Sequence, residues 1–182
     1  MNKVNQDINQ LLEGCKKGDA KAQFAIYKLY YKAMYNTAFR IVNDPFEAED
    51  VMQESFLAAF TKLDSFSEQV TFGAWLKKIV INNSITALRK KNKFETVPLE
   101  KVTIKDVEED SYDCAELNVS DILNKLATLK SNYKVALTLN LIEGYDCEEI
   151  AQIMDISYEN TRTTISRAKN KLRELLSESY AR

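Results

Sequence analysis

Histidine is absent from the 182-residue chain, and glycine and proline are scarce, with 4 and 2 residues. Without imidazole the chain lacks the commonest general base, the commonest metal ligand and every histidine-dependent triad. So few turn-forming residues do not suit a sandwich or barrel of many short strands, although apolar residues make up 45% of the chain. The composition therefore predicts an all-α protein that is not an enzyme and that binds no cofactor or metal.

Long apolar runs and cysteine clusters are also missing. No stretch approaches the ~18 residues that span a membrane, and the N-terminal MNKVNQDINQ lacks the hydrophobic stretch of a signal peptide. Cys15, Cys114 and Cys147 are far apart and form no CxxC pair, which disfavours a disulfide framework or a thiolate zinc site. These features predict a cytoplasmic protein with no membrane contact of its own.

Charge is distributed unevenly along the chain, whose formal net charge is −2. Residues 1–91 carry 13 basic and 10 acidic side chains, residues 92–121 carry 3 and 9, and residues 122–182 carry 9 and 8. The acidic middle contains Pro98 and shows no sustained helical period. We therefore predict two small helical domains, residues 1–91 and 121–182, joined by a flexible acidic linker at 92–120. That linker is either plain solvated chain or a partner-binding segment.

Helix signals are clear in both flanking segments. Apolar residues at steps of three and four predict a helix over residues 18–42, in the row Phe24, Tyr27, Tyr31, Met34, Ala38 and Ile41. Asp44, Pro45 and Glu47 predict a capping-box start for the next helix, and a third helix is predicted over 71–91. The C-terminal segment predicts helices near 120–129, 131–143, 147–154 and 158–178.

The last two of these helices form a predicted helix-turn-helix. Gly144 ends the preceding helix, Asp146 with Glu149 caps the first, and Ser157 caps the second. On the second helix one side is apolar and predicted to face the core, comprising Thr161, Ile165, Ala168, Leu172 and Leu175. The opposite side is polar, comprising Arg162, Thr163, Ser166, Arg167 and Asn170. Arginines among small polar residues suit reading of the DNA major groove; the alternative is a helix pair with a solvated face.

Two further helical faces are candidates for binding. Over residues 71–91 one polar stripe carries a tryptophan and two cations, in the set Trp75, Lys78, Asn82, Thr86 and Arg89. Aromatic rings beside cations suit single-stranded nucleic acid, although a core tryptophan and helix-terminal cations would give the same pattern. Over residues 47–60 an acidic stripe surrounds one leucine, in the set Asp50, Gln53, Glu54 and Leu57. This stripe is either solvated surface or a dock for a basic helix.

In this order the segments resemble a bacterial RNA polymerase sigma factor of the extracytoplasmic-function (ECF) group. AEDVMQESFLAAF is similar to the family's core-polymerase-binding helix, and FSEQVTFGAWLKKIVINNSITALRKK to its promoter-melting and −10-reading stretch. EEIAQIMDISYENTRTTISRAKNKL is similar to its −35-reading helix-turn-helix. The resemblance covers nearly the whole chain and implies a protein that initiates transcription at specific promoters.

The resemblance also implies roles for residues. The 47–60 stripe would dock on the clamp helices of the polymerase β′ subunit, and the loop 65–70, with Phe66, would hold a base flipped from melted −10 DNA. The −35 element would be read by Arg162, Thr163, Ser166 and Arg167, while Lys169 and Lys171, farther along the helix, are expected to contact phosphates. The first helix of the second domain would touch the β flap, the linker would run toward the RNA path, and an anti-sigma factor is an expected partner.

The chain departs from the family pattern at Thr86, where members often have Asp, and in its less basic reading helix. These departures bear on which promoter is read, not on the fold. Two alternatives remain at this point: a free-standing helix-turn-helix regulator, and a helical adaptor that binds only protein.

Overall fold

The computed structural model describes residues 3–67, 69–91 and 118–180, with side chains described from residue 8 to 178. All regular elements within these ranges are helical, which confirms the predicted all-α class. They are α1 (Lys3–Lys16), α2 (Ala20–Val42), α3 (Pro45–Thr61), a 3-10 turn (Leu63–Ser65), α4 (Phe72–Lys90), α5 (Val119–Thr128), α6 (Ser131–Leu137), a π turn (Thr138–Ile142), α7 (Cys147–Met154) and α8 (Tyr158–Tyr180).

The chain divides into two compact units, Met1–Lys91 and Asn92–Arg182. The helix-turn-helix predicted in the second unit is present as α7 and α8. Most of the predicted linker lies outside the described residues, which resume at residue 118.

Helices α2, α3 and α4 pack together to form the core of the first unit. Their apolar faces meet at side chains with no exposed surface, among them Ile26, Met52, Leu76 and Ile81. Burying such a side chain stabilises the fold by about 1.5–3 kcal/mol. Each of these helices also starts at a side-chain cap, from Asp19, Asp44 and Thr71 respectively.

Helix α1 was not predicted. It packs on α2 and buries Leu12 and Cys15. The steps Ile8, Leu11, Leu12 and Cys15 follow the i, i+3, i+4, i+7 pattern of one helix face. The signal for this helix was therefore present in the sequence.

The apolar row predicted along α2 is only half correct. Met34, Ala38 and Ile41 are buried, but Phe24 is 57% exposed and Tyr31 37% exposed. In the first half of the helix Ala22 and Ile26 face the core instead. Periodicity alone missed this because Ala22 and Ile26 define a second, shifted row. At the start of that row Ala22 lies against α1, where a Cβ added at Gly14 would be 2.8 Å from Ala22 Cβ.

In the second unit α8 packs against α5, α6 and α7. Of its predicted core side, Thr161, Ile165, Ala168 and Leu172 are buried, whereas Leu175, one turn nearer the end of the helix, is only half-buried. The helix predicted over 131–143 is instead α6 followed by the π turn. Beyond that turn Gly144 has φ +79°, as its predicted helix-ending role requires.

Candidate protein and nucleic-acid interfaces

Helix α3 presents two different sides. Asp50, Gln53, Glu54 and Leu57, hereafter the α3 stripe, are all exposed, and Leu57 is 69% exposed. The opposite side is buried and comprises Val51, Met52, Ser55, Phe56 and Ala59. The predicted acidic stripe around a lone leucine is therefore a solvent-facing surface with a packed helix behind it.

Two polar contacts fix α3 against α4. The Ser55 hydroxyl donates to the Val51 carbonyl (2.6 Å) and accepts a hydrogen bond from Asn83 Nδ2 (2.9 Å). Near the start of α3, the Glu47 carboxylate pairs with Lys91 Nζ at 2.7 Å. This hydrogen bond, with the negative charges of Asp44 and Asp50, raises the pKa of Lys91 above its ordinary value. The α3 stripe is thus displayed by a helix held at both its middle and its beginning.

An aromatic cluster forms where the loop after the 3-10 turn meets the start of α4. Phe66 lies 5.4 Å from Trp75 and 5.7 Å from Phe72, measured between ring centroids. Tyr30 of α2 packs edge-on to Phe72 at 5.4 Å. Phe72 is buried, whereas Phe66 and Trp75 are half-buried. Each of these two rings therefore has one part packed in the protein and another open to solvent.

A close approach to glycine lets Tyr30 reach this cluster. A Cβ added at Gly73 would lie 2.8 Å from Tyr30 Cε1. Any larger residue at position 73 would have to displace the tyrosine ring, so the cluster depends on the missing side chain.

The polar stripe predicted along α4 is present. Lys78, Asn82, Thr86 and Arg89 are exposed, and they follow Trp75 at helical spacing. The Thr86 hydroxyl donates to the Asn82 carbonyl at 2.8 Å. The stripe and the Phe66 loop meet at the Phe66–Trp75 contact, which brings all six predicted residues of this region onto one continuous surface. Within the loop, Glu68 lies outside the described residues.

The predicted caps are present at the start of α7 and at the start of α8. Asp146 Oδ1 accepts from the Glu148 and Glu149 amides, both at 2.8 Å, and Glu149 Oε2 accepts from the Asp146 amide at 3.0 Å. Asp155 adopts the left-handed conformation (φ +55°), and Ser157 Oγ accepts from the Asn160 amide at 3.2 Å. The capping box sets where α7 begins, and the Ser157 cap sets where α8 begins and hence which residues α8 presents.

The polar side of α8 is less uniform than predicted. Arg162 and Ser166 are exposed, but Thr163 and Arg167 are half-buried. Arg162 lies 5.9 Å from the ring centroid of Tyr158. Arg167 Nη2 is buried and has no hydrogen-bond partner among the described residues. Of these two arginines, Arg162 is therefore the one whose side chain is open to solvent in this structure.

The two lysines that were expected to contact phosphates also differ in exposure. Lys169 is half-buried, whereas Lys171 is exposed and pairs with Glu174 at 2.7 Å. The hydrogen bond to Glu174 raises the pKa of Lys171. In the free protein part of the positive charge of α8 is therefore neutralised within the helix.

Arg173 was not singled out from the sequence. It is exposed, and its Nη1 donates to Asn170 Oδ1 at 3.0 Å. Steps of four, three and four link Arg162, Ser166, Lys169 and Arg173 on one side of α8. That spacing is visible in the sequence and could have identified this fourth residue.

A membrane span is not found in the part of the chain that the structure describes: none of its helices is long and apolar enough.

Comparison with known proteins agrees with this geometry. The family model for Sigma-70 region 2 matches residues 26–94, and the model for Sigma-70, region 4 matches residues 120–172. The first match contains the α3 stripe and the α4 stripe, and the second contains the helix-turn-helix.

Curated relatives match almost end to end. The chain is 29% identical over 181 residues to the ECF RNA polymerase sigma factor SigW of Bacillus subtilis (strain 168), covering 93% of this chain and 96% of that protein. It is 28% identical to the RNA polymerase sigma-H factor of Pseudomonas aeruginosa, covering 95% of each, and 28% identical to the ECF RNA polymerase sigma-E factor of Haemophilus influenzae, covering 91% and 95%.

Among solved structures, the sigma factor RpoE in its co-crystal with the anti-sigma factor NepR from Bartonella quintana is similar, with 27% identity and a TM-score of 0.56. That match covers 84% of this chain and 95% of RpoE. The fold also matches CnrH, solved with the cytosolic domain of CnrY, at a TM-score of 0.53. The two matched sigma regions, in this order and over this length, favour a sigma factor over a free-standing regulator or an adaptor. The chain belongs to the ECF group of bacterial RNA polymerase sigma factors.

Proposed function

We propose that this sigma factor binds core RNA polymerase through the α3 stripe, reads melted −10 DNA with α4 and the Phe66 loop, and reads the −35 element with α8. The observation that carries the proposal is the placement of one acidic surface, on α3, and two basic surfaces, on α4 and α8, on capped and well-packed helices. Family members initiate transcription, and this chain is expected to do so without catalytic chemistry of its own, in the cytoplasm.

The α3 stripe supports docking on the β′ clamp helices. Asp50 and Glu54 are exposed carboxylates, Leu57 is an exposed apolar group beside them, and none of the four stripe residues is basic. A basic partner helix with an apolar side chain opposite Leu57 complements that surface.

The aromatic cluster and α4 stripe support binding of melted −10 DNA. Half-buried Phe66 and Trp75 each offer ring surface to an unstacked base, and base stacking on an aromatic ring is worth about 1–3 kcal/mol. Lys78, Asn82, Thr86 and Arg89 extend the surface along one helix, where phosphates and base edges would lie. A base flipped from the non-template strand would enter beside Phe66.

Helix α8 supports recognition of the −35 element. Arg162 and Arg167 are suited to bidentate contacts with guanine, with Thr163 and Ser166 between them. Lys169 and Lys171 would contact phosphates, and Arg173 extends the same basic side. Helix α5 would touch the β flap.

Residues 1–91 and 121–182 would act as the −10 and −35 domains, with residues 92–120 as the linker toward the RNA path. Regulation by an anti-sigma factor is part of the proposal, because RpoE was solved with NepR and the match covers most of both chains.

A charge reversal tests the docking step. Asp50→Lys with Glu54→Lys should reduce association with core polymerase more than a hundredfold, because two attractive contacts to a basic helix become repulsive. Surface substitutions usually change stability by less than ~0.5 kcal/mol, so the fold should remain intact by circular dichroism.

The matched control reverses two exposed acids outside the stripe, Glu13→Lys with Asp64→Lys. It has the same change in net charge and should bind polymerase normally in a pull-down. Normal binding by the folded α3 double variant would disprove the docking assignment.

A further inference from the structure

Phe46 is the most exposed large apolar side chain in the described part of the chain, with 82% of its surface open to solvent. It follows Pro45 in the first turn of α3. Single exposed apolar residues are common on protein surfaces and need no explanation by themselves. Phe46 is of interest because it lies next to the α3 stripe.

Phe46 lies on the same side of α3 as the stripe. With about 100° of rotation per residue, Phe46, Asp50, Gln53 and Leu57 fall within an arc of about 60°, and Glu54 lies about 40° outside it on the side of Asp50. Phe46 and Leu57 are separated by about three helical turns, or roughly 16 Å. The carboxylates of Asp50 and Glu54 lie between these two apolar ends.

The start of the helix holds Phe46 in place. Asp44 Oδ1 accepts from the Phe46 amide at 3.0 Å and from the Glu47 amide at 3.1 Å. Pro45 occupies the first helical position, where its fixed φ suits the helix. The backbone below the phenyl ring is therefore ordered before any partner binds, which lowers the entropic cost of association.

Charge around Phe46 defines the partner. Phe46, Asp50 and Glu54 line the α3 side of a groove whose opposite side carries Lys90 and Lys91 at the end of α4. Glu47, in the same groove, is paired with Lys91. The carboxylates that remain open on the stripe, those of Asp50 and Glu54, favour a partner with basic side chains opposite them.

We propose that Phe46 is a further docking residue for core RNA polymerase, inserting between apolar side chains of a basic polymerase helix that lies along α3. This inference rests on the proposed docking function and extends its surface by one turn toward the start of α3. The partner helix would present apolar groups to Phe46 and Leu57 and Lys or Arg to the carboxylates between them. Aromatic side chains at such positions commonly dominate an interface.

The test measures the affinity of the full-length protein for purified core polymerase. Phe46→Ala should weaken binding about tenfold, which corresponds to about 1.4 kcal/mol. Phe46→Leu keeps an apolar side chain and should recover most of that loss. The matched control is Phe24→Ala, which removes another exposed phenylalanine, 57% exposed, from α2 of the same unit. It should change binding less than twofold.

Two outcomes would overturn the inference: Phe46→Ala binding as tightly as the Phe24→Ala control, or Phe46→Leu binding as weakly as Phe46→Ala. The double variant Asp50→Lys with Glu54→Lys is measured alongside. If that variant loses binding while Phe46→Ala does not, the docking function stands and only the role of Phe46 fails. If both bind normally, the docking function itself fails.

Discussion

The two units hold their candidate binding residues in different ways. In the first unit, Phe66 and Trp75 pack against each other and against Phe72, which Tyr30 of α2 contacts in turn. The α3 stripe is held in place by a contact between α3 and α4. In the second unit, the contacts shown for Arg162, Lys171 and Arg173 run to neighbours on α8 itself, namely Tyr158, Glu174 and Asn170.

This difference has a physical consequence. Tertiary packing fixes the side chains of the first unit before binding, so their ordering cost is already met in folding. Ion pairs between side chains of one exposed helix contribute little to stability, so these side chains can readily exchange such pairs for contacts with DNA. We therefore infer that α8 alone binds DNA weakly, in keeping with a chain of net charge −2 that would act as part of a polymerase complex.

The largest effect is expected from removing the Trp75 ring, which packs against neighbouring rings and is also proposed to bind DNA. Trp75→Ala should destabilise the first unit by about 1.5–3 kcal/mol, because a half-buried ring loses its contacts with Phe66 and Phe72. It should also reduce promoter opening more than tenfold. Thermal unfolding and permanganate reactivity of melted DNA measure the two effects.

Trp75→Phe is the control and should retain most of the stability and part of the opening. Unchanged opening by a folded Trp75→Ala protein would show that this ring does not bind DNA.

A smaller effect is expected at Gly73. Gly73→Ala places a Cβ 2.8 Å from Tyr30 Cε1 and should destabilise the unit by about 1–3 kcal/mol through overpacking. In a Tyr30→Ala background the same change should cost almost nothing, since the ring is gone and alanine favours a helix. Chemical denaturation of the four proteins measures the coupling. Equal costs in both backgrounds would refute the proposed contact.

The smallest effect is expected on α8. Glu174→Gln frees Lys171 from its ion pair and should increase affinity for −35 DNA less than twofold, with the gain disappearing at high salt. Glu148→Gln, an exposed acid on α7, is the control and should have no effect. A large increase after Glu174→Gln would mean that pairs within α8 strongly limit DNA binding, contrary to the comparison between the units.

Much of the helical architecture followed from local signals in the sequence. The side chains of Asp44, Asp146 and Ser157 cap helices as predicted, and Gly144 ends one, because capping depends on a few neighbouring residues. Glu47, predicted to complete a capping box with Asp44, instead pairs with Lys91. The exposure of the α3 and α4 stripes also followed from helical spacing. These features need no knowledge of distant contacts.

Other features depend on tertiary packing or side-chain conformation. Phe24 and Tyr31 fit an apolar row, yet they are exposed because none of the described helices covers that side of α2. Local periodicity cannot specify the partial burial of Arg167. Nor can it specify the Phe66–Trp75 contact, which joins residues nine positions apart in a loop and a helix. The π turn after α6 likewise has no clear signal in the spacing of apolar residues.

The most direct test of the account is transcription by reconstituted polymerase on libraries randomised at the −10 or the −35 element. Asn82→Ala on α4 should alter the preferred −10 sequence alone. Arg162→Ala and Arg167→Ala on α8 should lower output and relax one or two −35 positions, since each bidentate contact is worth about 1–3 kcal/mol of discrimination. If the α8 variants leave both output and preferred sequence unchanged, or if they alter the −10 preference instead, the assignment of the two units to the two promoter elements is wrong.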